Sequence, residues 1–163
     1  MVTLAEIETG QGAVLLRTAR REDVPAIVGL IAADQLGATR DGVRDDADLA
    51  AYTAAFEAID ADPAHLLLVA ESRREVVGTM QLSFLPGLAR RGALRAQIEA
   101  VRVAESTRGG GLGAAMIDWA ISEARNRQCA LVQLTTDKSR TDAHRFYQRL
   151  GFVASHEGMK LAL

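Results

Sequence analysis

The sequence is short of cysteine, aromatics and surplus positive charge, and each shortage removes a class of protein. Cys129 is the single cysteine in 163 residues, so no internal disulfide is available and no Cys/His cluster has zinc spacing. His65, His144 and His156 share no ligand spacing, and no metal is assigned. Nineteen basic against twenty-one acidic residues leave a net charge of −2. That balance argues against a nucleic-acid or membrane-surface binder, which usually carries a basic excess. No run approaches the ~18 apolar residues of a membrane span. Glu6 and Glu8 fall where a signal peptide would need an apolar core. A cytoplasmic protein is the expectation. Aromatics make up only 4%, with four Phe, two Tyr and one Trp, so each of them needs a reason to be there.

What is present suits one domain. A chain of 163 residues falls within the ~100–200 of a typical domain. It can bury roughly two thirds of its unfolded surface without a metal or a disulfide. Residues 1–11 lack periodicity and read as a flexible N-terminal arm, leaving residues 12–163 as a single domain. Residues 13–18 (AVLLRT) have strand length. Arg21, Glu22, Asp23 and Pro25 then mark a helix start, and Ile27, Val28, Leu30 and Ile31 share one helical face. Residues 37–46 are polar and read as a loop; residues 48–60 are Ala-rich and helical.

The middle reads as an antiparallel meander of strands at residues 65–71, 76–85 and 93–103, with Gly78 hinting at a bulge. A helix over residues 114–127 follows, with Trp119 on its apolar face, then a strand at 130–135 and a helix at 142–150 ended by Gly151. Residues 152–153 and 159–163 look like short closing strands. The result is α/β (α+β): one mixed, mostly antiparallel sheet of about seven strands with about four helices on it.

Four of the fourteen glycines crowd into Arg108-Gly109-Gly110-Gly111-Leu112-Gly113, between a strand and a helix. Glycines admit positive φ and close backbone approach. The free N–H groups of the next helical turn, with the helix dipole behind them, form an anion site. A phosphate cradle is one reading and a flexible turn the other. The triphosphate-binding loop needs Lys-Ser/Thr after the last glycine, whereas Ala114 and Ala115 follow here. Gly109-x-Gly111-x-x-Ala114 fits the dinucleotide fingerprint loosely, with Asp137 as its ribose-binding acid. That fingerprint, however, belongs to the first βαβ unit of a parallel sheet.

Arg108-x-x-Gly111-x-Gly113 resembles the Gln/Arg-x-x-Gly-x-Gly/Ala signature of the GCN5-related N-acetyltransferases (GNAT). Residues 98–103 (IEAVRV) look like that family's fourth strand. Ala143, Tyr147, Gly151 and Phe152 resemble its closing A-x-x-x-Y-x-x-x-G-F block. Residues 137–163 are also similar to a bacterial subgroup that includes aminoalkylphosphonate acetyltransferases. The resemblance implies acetyl transfer from acetyl-CoA to a primary amine of a small molecule, by direct attack in a ternary complex and without a metal. It implies a coenzyme site at Arg108, Gly109, Gly110, Gly111, Leu112, Gly113 and Ala114, with Val101 and Val103 pairing with the pantetheine arm through main-chain groups. Where the family often has a coenzyme-binding Asn, this chain has Arg140, which would meet a phosphate or the substrate instead. Protein or peptide amines as acceptors, a non-catalytic coenzyme-binding regulatory module, and a nicotinamide-dinucleotide binder stay open as alternatives. A homodimer is what family analogy implies.

Two side chains answer the chemistry. An alkylammonium has a pKa of about 10, so at neutral pH it must lose a proton before attacking a thioester. Glu99 is the candidate base: on a regular strand it shares a face with Gln97 and Val101, just beyond the thioester end of a pantetheine lying along Val101. That placement holds if no bulge intervenes. Tyr147 is the candidate acid for the leaving thiolate; otherwise it packs between helix and sheet. Arg90, Arg91 and Arg95 suit a solvated turn better than an anion clamp. Asp34, Asp41, Asp45, Asp46 and Asp48 would border the acceptor site or simply be solvated.

Overall fold

A computed structural model describes residues 2–34, 37 and 40–162. Residues 38 and 39 of the expected loop, and the first and last residues of the chain, lie outside the described residues. The chain divides into two compact units, Met1–Gln133 and Leu134–Leu163.

The first unit is built on a sheet. Its strands are β1 (Thr3–Thr9), β2 (Gly12–Thr18), β3 (His65–Ser72), β4 (Glu75–Leu85) and β5 (Arg95–Val103). They lie in sequence order and pair antiparallel, with β6 (Leu131–Leu134) in the sixth place. The meander expected from the short turns is present as β3–β4–β5. Two expectations fail here. Residues 3–9 are not a loose arm: Ile7 pairs with Val14 and Glu6 with Leu15, so they hydrogen-bond to β2 as a hairpin. An alternation is present but short: half-buried Ala5, Ile7 and Thr9 alternate with exposed Glu6 and Glu8. Nor do residues 152–153 and 159–162 form strands; Val153, Met159 and Leu161 are exposed, so no burial rewards pairing there. Among the described residues six strands stand where about seven were expected.

Helices cover both faces. On one face lie α1 (Val24–Ala32) and α2 (Asp46–Ala61). Pro25 stands in the first turn of α1, where a missing N–H costs nothing. Asp45 caps α2 by accepting from the Asp48 N–H at 2.9 Å. Val24, Ile27, Val28 and Phe56 are buried with Val69 of β3 on this side. On the other face lies α4 (Leu112–Asn126), after a short turn α3 (Ala89–Gly92). Leu112, Met116, Ile117, Ala120 and Ala124 are buried along α4; each large member is worth about 1.5–3 kcal/mol of burial. Trp119, expected in the core, is half-buried. Gly78 lets α4 approach. An added Cβ would stand 3.2 Å from Met116 Sδ and from Ala70 Cβ. The bulge it hinted at lies beside it, where the pairing steps from Ala70–Gly78 to Glu71–Val76.

The second unit carries α5 (Thr141–Arg149). Its C-terminus closes as a Schellman motif, with the Phe152 N–H donating to Tyr147 O (3.1 Å) and the Gly151 N–H to Gln148 O (3.0 Å). Gly151 thus caps the helix as its position suggested.

Candidate active site

After Val103 the chain makes a 3₁₀ turn at Glu105–Thr107 and then the glycine loop. Gly109 and Gly111 have φ of +81° and +85°, and a Cβ on either would meet nothing within 4 Å. Backbone conformation rather than crowding therefore calls for glycine. Gly111 is the N-cap of α4, and no side chain caps that end. The first-turn N–H groups of Leu112, Gly113 and Ala114 have no intrahelical acceptor. They point out of the positive end of a fifteen-residue helix. Open space over an uncapped helix start fits the diphosphate of a coenzyme. Arg108 is exposed beside it.

The strand leading into this loop is bulged. Ala100 has φ of +51°. The β4–β5 pairing steps from Gln81–Glu99 to Thr79–Arg102, so Ala100 and Val101 both oppose Met80. Directly paired residues share a face. Arg102 therefore joins Gln81 and Glu99, while Val101 and Val103 turn to the face of Met80. The regular alternation that put Val101 beside Glu99 is thus corrected, because one extra residue reverses every later side chain. Glu99 is exposed; Val101 and Val103 are half-buried. The Arg102 guanidinium donates to Val101 O at 2.8 Å and reaches Asp34 Oδ2, at the end of α1, at 3.4 Å.

Sequence reasoning missed Arg102, and it missed a polar row one pleat away from Glu99. Here His65 Nδ1 lies 2.8 Å from Ser83 Oγ, Ser83 pairs with Gln97, and Gln133 Nε2 donates to Gln97 Oε1 at 2.7 Å. Gln133 interrupts an otherwise apolar strand, and that was the available signal. The acidic residues are accounted for differently. Asp45 caps α2. Asp41 accepts from Arg40, and Asp48 from the Arg44 N–H. Arg90 and Arg91 are exposed in their turn, and Arg95 is exposed at the start of β5.

Beneath α1 lies an ion network. Arg17 and Asp23 are 3% and 6% exposed, which makes their pairing a core contact and not a surface one. Arg17 Nη1 and Nη2 donate to the two Asp23 oxygens at 2.7 and 2.9 Å, and Nε donates to Glu71 at 2.8 Å. Burial alone would raise the Asp23 carboxyl, but the Arg17 hydrogen bonds, the Arg20 N–H and the two positive charges together outweigh it and hold the group below its ordinary value. A carboxyl lowered on folding adds stability above its unfolded pKa of about 4 and loses it as pH falls toward the folded value. Denaturation midpoints should therefore drop below pH 4 more steeply in the native protein than in Asp23→Asn. Parallel acid limbs in the two proteins would refute this.

In the second unit, the Tyr147 ring meets Phe146 and Phe152 edge-on, with centroids 5.1 and 5.8 Å apart. Two of the few aromatics thus gather around the candidate acid. Arg140 is the N-cap of α5. The Asp137 carboxylate accepts the Ser139 hydroxyl and N–H (2.6 and 2.9 Å), which lowers its pKa. It is committed to this turn, as a ribose-binding acid would not be. Burial pushes the Cys129 thiol up, away from the thiolate a nucleophile needs. Among the described residues, no three His, Cys, Asp or Glu side chains gather as metal ligands, and no helix is long and apolar enough to cross a membrane.

The chain is similar to several known proteins. The family model described as the acetyltransferase (GNAT) family matches residues 31–152. The aminoalkylphosphonate N-acetyltransferase of Salmonella typhimurium is 31% identical over 141 residues, covering 86% of either chain. A solved Bacillus halodurans C-125 structure described as a transcriptional regulator is 43% identical and superposes with a TM-score of 0.87, over 92% of this chain and 99% of its own. A Clostridium acetobutylicum protein crystallised with acetyl-CoA has the same fold, with a TM-score of 0.71 at 21% identity over 91% and 96% of the two chains. The chain belongs to the GNAT acetyltransferase family. It is an acetyltransferase whose co-substrate is acetyl-CoA, and the dinucleotide reading falls.

Proposed function

We propose that the enzyme acetylates the primary amine of a small molecule by direct attack within a ternary complex. The observation that carries this reading is the exposed Glu99 carboxylate on the bulged strand that runs into the glycine loop. Bound acetyl-CoA supplies the acetyl thioester. The loop, from Arg108 to Ala114, holds its diphosphate through backbone N–H groups, while main-chain groups of Val101 and Val103 run beside the pantetheine and Arg140 meets a phosphate or the substrate. The Glu99 carboxylate takes one proton of the acceptor ammonium; as the C–N bond forms and the C–S bond breaks, the Tyr147 hydroxyl protonates the departing sulfur, and the surplus proton on nitrogen passes to the resulting phenolate, leaving the neutral amide. The raised Cys129 thiol speaks against an acetyl-cysteine route. The name of the Salmonella relative supports a small acceptor. We extend the reading to both units as one acetyltransferase domain.

Initial rates over a grid of acetyl-CoA and amine concentrations test the order of events. Intersecting lines are expected; parallel lines would sink the direct mechanism. Tyr147→Phe keeps the ring and removes the proton, so kcat should fall by about 10²–10⁴ while the KM for acetyl-CoA stays within about twofold. An unchanged kcat would remove Tyr147 from the reaction.

A further inference from the structure

The β1–β2 turn reaches the glycine loop. The Gly10 N–H donates to the Gly110 carbonyl at 3.0 Å. The Gln11 side chain lies on Gly110 itself: a Cβ there would stand 3.3 Å from Gln11 Cγ and Cδ. The turn is stiff, because the Thr9 hydroxyl donates to Gly12 O at 2.7 Å and accepts the Gln11 N–H at 3.2 Å. These residues lie outside residues 31–152, the segment that the family model matches.

The consequence is set by the planar trans peptide. Its C=O and N–H point in opposite directions, and among the described residues there are no cis bonds. Pinning the Gly110 carbonyl toward the hairpin therefore aims the Gly111 N–H the other way, with the first-turn N–H groups of α4. The pinned peptide lies between two glycines, so little steric resistance opposes its rotation. Rotated, it would present a carbonyl oxygen to an anion in place of a donor. We infer that Gly10 is a positioning residue for coenzyme binding: its N–H latches the Gly110–Gly111 peptide so that the Gly111 N–H faces the diphosphate. This rests on reading the glycine loop as the diphosphate site.

Gly10→Pro deletes the donor. Gly10 is not in the left-handed region, and Thr9 before it is already extended as a proline requires. Gly10→Ala keeps the donor, and its Cβ would make only ordinary contacts at 3.7 and 3.8 Å. Affinities for acetyl-CoA and for S-acetylpantetheine, which lacks the diphosphate, are measured by calorimetry on the full chain. Gly111→Val serves as a test of the loop itself. With one hydrogen bond to a charged group lost, Gly10→Pro should weaken acetyl-CoA about tenfold or more. S-acetylpantetheine should be unaffected, and Gly10→Ala should behave as wild type. A fold merely loosened by proline would weaken both ligands, and that result overturns the latch. If Gly111→Val weakens acetyl-CoA alone while Gly10→Pro is silent, the latch is wrong and the loop reading stands. If both are silent, the loop reading falls and the latch with it.

Discussion

Arg17→Met is expected to destabilise the protein by about 3–5 kcal/mol, the usual effect of removing one partner from a buried ion pair. A domain of this size holds only about 5–15 kcal/mol in total, so the variant should lose a large part of its margin. The physical reason is the Asp23 carboxylate, which has little contact with water and takes two of its hydrogen bonds from that guanidinium. A third hydrogen bond comes from the Arg20 N–H at 2.7 Å. Methionine fills the space of the Arg stem but leaves the charge uncompensated. Replacing Asp23 by leucine in the same chain removes that charge and should restore part of the loss. Urea titrations at pH 7 of the two variants and wild type give the comparison. A single variant within 1 kcal/mol of wild type (roughly the worth of an exposed pair) would show the network to be dispensable.

The second large effect concerns chemistry. Glu99→Gln should lower kcat at neutral pH by about 10²–10⁴, with the deficit shrinking as pH rises. The sign follows from the acceptor. Below its pKa of about 10 an alkylamine is mostly protonated and depends on a base. Nearer that value the free amine supplies itself, and the missing carboxylate matters less. A pH–rate profile from 7 to 10 with one amine checks this. A deficit that is constant across that range would mean that Glu99 serves binding or structure only. The bulge bears on this outcome. It turns Arg102 onto the Glu99 face, while the backbone that would run beside the coenzyme continues past it. One strand can thus offer side chains to one substrate and main chain to the other.

Most of the architecture could be read from the residues because apolar runs and their punctuation are local signals. The strands at β2 to β5 and the helices α2, α4 and α5 fall within a few residues of where periodicity and capping put them. What failed was decided by tertiary context. Residues 3–9 became a strand because β2 offered an edge, and residues 152–153 stayed irregular because nothing buries Val153. In the site, the glycines at 109 and 111 were legible because their φ demands glycine. The face that Val101 presents was not, since Ala100 carries no mark of the left-handed φ it adopts. Asp137 and the loop acids looked available in sequence because a one-dimensional string hides hydrogen-bond partners.

The first strand has one more consequence. β1 stands at the outer edge of the sheet, with an unpaired ladder of backbone groups along one side. Such an edge invites another chain to add itself and begin an aggregate. Glu6 and Glu8 are both exposed on this strand, two like charges that a second copy of β1 would have to bring against its own. The same acids that made the segment look unlike a structured element are placed as gatekeepers against β1-to-β1 pairing.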